Sequence, residues 1–159
     1  MNYRGMFDVA LVTNDMEKTV RFYRDVLGMS VVVTFSMDIN GQRVRHYFFS
    51  LGSSSYLSFF EWPGVELLPR KDAGVPASGR QFDHVTIAVD SEKELLEIQE
   101  RVRAAGITAG DVVDHGFARV IFFEDPNGIT LAFAVMKQDL DQEPAFYDDE
   151  PVPALQSKA

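Results

Sequence analysis

The chain has 159 residues, of which 46% are hydrophobic and 12% aromatic, enough to form a sizeable core and unlike the composition of a disordered segment. Its net charge of −9 and its lack of cysteine argue against non-specific nucleic-acid binding, attraction to anionic membranes, disulfides and thiolate chemistry. No basic leader and no run of about 18 apolar residues is present, so we expect a cytoplasmic protein with no membrane or nucleic-acid partner.

The first part of the chain, residues 5–62, predicts the order strand, helix, strand, hairpin. A strand-like run at 7–12 precedes a helical stretch, and a β-branched stretch at 31–33 follows it. The helix should end at Gly28, because glycine readily takes the left-handed conformation of a helix C-terminus. Two further strand-like runs, 47–49 and 57–59, flank turn residues at 52–55. The helical spacing is that of Met16, Val20, Tyr23 and Leu27.

The second part, residues 81–137, repeats this order. A strand-like run at 82–87 leads to a helical stretch that should end at Gly106, followed by a short β-branched stretch at 112–113. Runs at 121–123 and 131–133 flank the turn 125–128, at the same spacing as in the first hairpin. An internal repeat of this kind predicts one structural unit formed twice.

We therefore predict an α+β fold of two tandem βαβββ modules. A single domain would cover residues 5–137, as module one (5–62), a linker rich in proline and glycine (63–80) and module two (81–137). Residues 138–159 would form an acidic, proline-containing C-terminal tail.

Two motifs make the sequence similar to a known family. They are Phe22-Tyr23 followed by Leu27-Gly28, and Asp125-Pro126-Asn127-Gly128 in the second hairpin. The chain resembles the vicinal oxygen chelate superfamily over roughly residues 5 to 136. That superfamily includes glyoxalase I, extradiol dioxygenases, fosfomycin-resistance proteins and bleomycin-binding proteins. The resemblance implies that the two modules form a curved, barrel-like sheet around a cleft, with the helices outside, and that the protein is a homodimer.

The resemblance also implies a divalent metal site, for Fe, Mn, Ni or Zn, with ligands on the first and last strands of each module. Carried onto this chain, the ligand positions are Val9, Ser58, His84 and Ala132. Only His84 keeps a typical metal-binding side chain, so the site is incomplete and the metal is either bound weakly or absent.

Two nearby acids are candidates to complete the site. Glu61 lies three residues beyond the expected ligand position on its strand, so strict alternation turns it away and a β-bulge would be needed to bring it inward. Asp8 adjoins Val9 and is expected on the opposite face, paired with a cation such as Arg45 or Arg119. We therefore name His84 and Glu61 as the metal ligands.

His115 and Tyr47 are the candidate catalytic residues. An imidazole titrates near neutral pH, so His115 could act as a general acid or base, and the Tyr47 hydroxyl could donate to a substrate oxygen. Alternation on one strand leaves two possibilities: either His46 faces the cleft, or Arg45 and Tyr47 do.

The sequence supports two functions. The first is a binding protein for a small aromatic or drug-like molecule, because the predicted strands are rich in phenylalanine and the metal site lacks ligands. The second is a metal-dependent lyase or dioxygenase acting on a small oxygen-bearing substrate, with the ion as Lewis acid.

Overall fold

The computed structural model describes residues 6–62, 64, 66 and 84–138. The predicted linker therefore lies almost entirely outside the described residues, as does the tail after its first residue. In module one the elements are β1 (Asp8–Thr13), α1 (Met16–Val20) continued by a π-helical segment (Arg21–Val26), β2 (Val31–Ile39), β3 (Gln42–Gly52) and β4 (Ser55–Glu61). In module two they are β5 (Val85–Val89), α2 (Glu92–Ala104), β6 (Val113–Asp114), β7 (Ala118–Glu124) and β8 (Thr130–Met136).

The two modules form separate four-stranded sheets with the same topology. The strand orders are β1-β4-β3-β2 and β5-β8-β7-β6. The first strand of each module is parallel to its neighbour, and the remaining pairs are antiparallel. The α+β class and the tandem repeat are confirmed. Each curved sheet keeps two edge strands, so the sheets do not close into a barrel.

Each helix begins after a capping residue and is followed by the glycine that the sequence predicts. The carboxylate of Asp15 accepts a hydrogen bond from a backbone amide of the first turn of α1, and Ser91 and Glu94 form a capping box at the start of α2. Gly28 and Gly106 follow the two helical stretches with φ of 77° and 79°. Among the helices that the structure describes, none is long and apolar enough to cross a bilayer.

The first helix departs from the uniform α-helix that its spacing predicts. After Val20 the chain adopts π-helical geometry, in which the amide of Leu27 donates to the carbonyl of Phe22, five residues earlier, at 3.1 Å. Phe22 and Tyr23 are adjacent and both buried. A π turn is wider than an α turn, which accommodates two neighbouring rings on the side that faces the core.

Both modules contribute to one hydrophobic core on the helical side of the sheets. The Tyr23 ring lies 5.2 Å from that of Phe49 and 4.9 Å from that of Phe59, both in the first sheet. Its neighbour Phe22 contacts Phe123 of the second sheet, with ring centroids 6.4 Å apart. We call the side of each sheet that packs on this core the helical face, and the opposite side the open face.

Buried polar groups also join the modules. The Tyr23 hydroxyl donates to the Asp125 carboxylate at 3.0 Å, and the Thr13 hydroxyl donates to the Asn127 side chain at 2.7 Å. Asp125 also accepts hydrogen bonds from the backbone amides of Asn127 and Ile129. The turn that carries the second sequence motif is therefore fixed to the first module.

Candidate functional site

The open face of the first sheet is aromatic. On β3 and β4, the residues that alternate with the core-facing phenylalanines lie side by side, with His46 opposite Phe60 and Phe48 opposite Ser58. From the edge strand β2, Phe35 lies opposite His46. By contrast, small residues dominate the open face of the second sheet. Its buried hydrophobic residues are Ala118, Val120, Ala132 and Ala134.

Asp8 lies on the open face of module one, contrary to the expectation from the sequence. Its carboxylate accepts a hydrogen bond of 2.6 Å from the buried Ser58 hydroxyl. Val9 instead packs against the core. The expected partners of Asp8 are engaged elsewhere, because Arg45 pairs with Glu61 and Arg119 pairs with Glu92.

The strand register makes Asp8, rather than Val9, the equivalent of His84. Val9 of β1 and Val85 of β5 lie opposite leucines at the same place in β4 and β8. The residues immediately before them, Asp8 and His84, therefore correspond in the two modules. The repeat was aligned one residue out of register when Val9 was taken as the ligand position.

The donor set remains too small for an ordinary catalytic metal site. Asp8 and His84 can ligate, Ala132 cannot, and Ser58 directs its hydroxyl to Asp8. Across residues 6–62 and 84–138 no group of three or more His, Cys, Asp or Glu side chains is placed to hold a metal ion. A catalytic divalent ion usually takes about three protein ligands, so the described side chains of one chain do not fit such an ion.

Glu61 lies on the helical face and is already engaged. One carboxylate oxygen accepts the Met16 amide at 2.7 Å, and the other pairs with Arg45 at 3.0 Å. The pairing of β4 with β1 and β3 continues without a shift up to Glu61. The bulge that would bring this side chain to the open face is therefore not formed.

Tyr47 also lies on the helical face. Its partly buried ring packs against the core cluster, and it pairs with Phe59 on β4. Of the two possibilities that alternation left for β3, the structure places His46 on the open face. Arg45 and Tyr47 point to the helical side.

The two histidines of module two are at opposite ends of its sheet. His84 is exposed just before β5, with its ring 5.5 Å from that of Phe122. His115 is exposed in the turn before β7, where its amide donates to the carbonyl of Ala118. Measured along the strands, the two histidines are separated by about the length of β8, which is on the order of 20 Å for seven residues. Within one chain they cannot act on the same small substrate.

His46 is the functional candidate that sequence reasoning left unresolved. Its ring stacks on Phe60 with centroids 3.6 Å apart and lies 4.4 Å from Phe48 and 5.2 Å from Phe35. The residue is 7% exposed, and neither ring nitrogen has a hydrogen-bond partner in the part of the chain that is described. Burial lowers the pKa of His46 below 6.5, against a smaller opposing effect of Asp8. The imidazole is therefore neutral at pH 7.

We expect this buried imidazole to make folding sensitive to mild acid. Because burial lowers the pKa of His46 from 6.5, the unfolded chain takes up a proton at a higher pH than the folded chain. The free energy of unfolding should therefore fall as the pH drops from about 7 through 6.5 to the lowered pKa. Urea unfolding at pH 7.5 and pH 5.5 measures the effect. His46→Phe should lose it and His115→Phe should keep it, whereas equal pH dependence in all three proteins would contradict the assignment.

The duplicated sheets, and the equivalent positions of Asp8 and His84 in them, are features by which this chain can be compared with known protein families. The Glyoxalase/Bleomycin resistance protein/Dioxygenase superfamily matches residues 5–133. The chain belongs to that superfamily.

Individual relatives are distant. A lactoylglutathione lyase of Neisseria meningitidis serogroup A is 25% identical over 139 residues, covering 86% of this chain and 93% of the relative. The solved glyoxylase/bleomycin resistance protein/dioxygenase domain from Frankia sp. EAN1pec superposes with a TM-score of 0.71 at 20% identity, covering 86% and 100% of the two chains. The fosfomycin resistance protein FosX of Listeria monocytogenes, solved with Mn(II) and sulfate, gives a TM-score of 0.58 at 19% identity, covering 84% and 93%. At these identities the structural matches support the fold alone.

Proposed function

We propose that this protein binds a small planar aromatic molecule on the open face of module one and needs no metal ion to do so. The observation that carries the proposal is the ring cluster formed by Phe35, His46, Phe48 and Phe60. Phe35 is 40% exposed and Val33, next to it on the same face of β2, is 44% exposed. One exposed ring and two half-buried rings around a recessed polar group favour a flat apolar ligand that stacks.

The charges favour a neutral or cationic ligand. The chain carries a net charge of −9, which attracts cations and repels anions. Asp8 places a carboxylate on this same open face, with only the Ser58 hydroxyl bonded to its side chain among the described residues. An aromatic ring with a positively charged substituent would satisfy both features.

A thermal-shift titration with flat aromatic compounds and aliphatic compounds of similar size tests the proposal. Aromatic compounds should raise the melting temperature, since a ligand that binds only the folded state stabilises it. Phe35→Ala should weaken their binding by roughly fivefold, because a stacking ring is worth about 1 kcal/mol. Leu96→Ala is the matched control, since Leu96 on α2 is also 40% exposed. Equal loss in both variants, or no response to any aromatic compound, would contradict the proposal.

The second candidate is a metal-dependent lyase or dioxygenase, favoured by the equivalence of Asp8 and His84. Both residues lie at the start of the first strand of their modules, and one structural neighbour was solved with Mn(II). Under this hypothesis Asp8 and His84 would contribute two of the about three protein ligands that such an ion needs, and the bound metal would supply Lewis-acid chemistry to a small oxygen-bearing substrate.

Metal analysis by mass spectrometry decides between the candidates. Our proposal predicts no stoichiometric metal in protein purified without chelator, and none after reconstitution. A stoichiometric ion that is lost in His84→Ala and retained in His115→Ala would support the metal-dependent enzyme instead.

We also propose that the protein is a homodimer. β1 and β5 are edge strands of their sheets, and such edges readily pair with another chain. Ala10 on β1, and Thr86 and Ala88 on β5, are exposed on the open faces. Pairing of β1 in one protomer with β5 in its partner would cover these positions. Sedimentation equilibrium should give a mass near twice 17.9 kDa, whereas a monomer at micromolar concentration would contradict the pairing.

A further inference from the structure

We propose that the aromatic ligand carries a hydroxyl group and that His46 recognises it. The inference rests on the proposed function, and it adds the chemical class of the ligand and the residue that selects it.

The starting observation is a buried imidazole without hydrogen bonds. His46 is 7% exposed, and both of its ring nitrogens are fully covered without a partner among the described residues. A buried polar group that lacks a hydrogen bond costs free energy, and most such groups in folded proteins are satisfied. A phenylalanine at this position would stack on Phe60 equally well. The histidine therefore gains its hydrogen bonds in a state that includes another molecule.

None of the described side chains around the imidazole supplies that partner. Phe60 covers one ring face at 3.6 Å, and Phe48 and Phe35 pack against it at 4.4 Å and 5.2 Å. Asp8 is near enough to influence the histidine electrostatically, yet the hydrogen bond recorded for its carboxylate is to Ser58. The surroundings are thus apolar apart from one carboxylate, whose recorded hydrogen bond is to Ser58 and not to the imidazole.

A neutral imidazole presents one N–H donor and one nitrogen acceptor. A hydroxyl group can donate to the acceptor or accept from the donor, so it matches either tautomer. A ligand without such a group leaves both nitrogens unpaired, which weakens its binding relative to the hydroxylated analogue. The site therefore selects a hydroxyl on an aromatic ring.

The ligand reaches His46 by way of Phe35. This ring lies on the edge strand β2, is 40% exposed, and meets the imidazole edge-on at an interplanar angle of 64°. Phe35 is the most exposed of the rings that contact the imidazole, so our proposal takes it as the side chain that moves aside while the core on the helical face stays in place. The ligand ring then occupies the position of the displaced Phe35 ring or stacks on it.

A pair of matched ligands tests the inference. We would titrate the protein with 2-naphthol and with 2-methylnaphthalene, which differ by a hydroxyl in place of a methyl group, and follow ligand fluorescence. Wild type should bind 2-naphthol roughly tenfold more tightly, as expected for one satisfied hydrogen bond in a buried site. His46→Phe should bind the two compounds within about twofold, with the affinity for 2-methylnaphthalene retained or increased.

Two further variants serve as controls. His46→Gln keeps a donor and an acceptor and should retain part of the preference for 2-naphthol, whereas His115→Phe should retain all of it. If wild type binds both compounds equally, or if His46→Phe keeps the full preference, the inference is overturned while the aromatic-binding function stands. If neither compound binds, both proposals fail.

Discussion

Asp125→Ala is expected to destabilise the fold by about 3–5 kcal/mol, because one buried carboxylate accepts several hydrogen bonds and links the modules. Asp125 is 5% exposed and accepts from the Tyr23 hydroxyl and from the amides of Asn127 and Ile129. Its removal leaves the buried Tyr23 hydroxyl without this acceptor. Urea unfolding followed by circular dichroism measures the change.

Two variants make this measurement specific. Tyr23→Phe removes the hydroxyl that donates to Asp125 and keeps the ring, and it should cost about 1–2 kcal/mol. Asp111→Ala replaces a fully exposed acid and should change stability by less than about 0.5 kcal/mol. A cost below 1 kcal/mol for Asp125→Ala, or equal costs for the two aspartates, would contradict the structural role of the turn.

Phe59→Ala should mainly lower stability and Phe60→Ala should mainly lower ligand affinity, because these neighbours lie on opposite faces of β4. Phe59 is fully buried against Tyr23, so its truncation should cost about 3–5 kcal/mol of stability. The molecules that remain folded should bind aromatic ligand normally. Phe60 stacks on His46 on the open face, so its truncation should cost less stability and abolish most of the ligand affinity.

Both quantities are measured on the same preparations, by urea unfolding and by ligand titration below the unfolding transition. Loss of affinity in Phe59→Ala with normal affinity in Phe60→Ala would place the ligand on the helical face and contradict the proposed site. Equal losses of stability would contradict the division of β4 into a core-facing and an open side.

Much of the fold follows from short-range patterns in the sequence. The order of elements, the helix ends at Gly28 and Gly106, and the tandem hairpins were all predicted, because periodicity and glycine placement are local properties. The π-helical segment was not predicted. It depends on the burial of Phe22 and Tyr23 together, which is decided by packing against both sheets.

The site was harder to predict, because alternation along a strand shows which side chains share a face but does not show which face packs on the core. A shift of one residue moves every side chain to the other face of a strand. That shift explains why Val9 was chosen over Asp8. The same ambiguity left His46 and Tyr47 as alternatives on β3, until contacts with the helices identified the core side.

The polar link between the modules could not be predicted as a contact. Tyr23 and Asp125 both belong to the sequence motifs, but they are 102 residues apart. Their hydrogen bond depends on how the modules pack. No local pattern carries that information.

The most direct test of the account is the detection of intermolecular nuclear Overhauser effects between 2-naphthol and the side-chain protons of the protein. We predict contacts from the ligand to Phe35, His46 and Phe60 on the open face of module one, and none to Phe59 on the helical face. Contacts confined to Val113 and Met136 in module two, which are exposed to a similar extent, would contradict the proposed binding site.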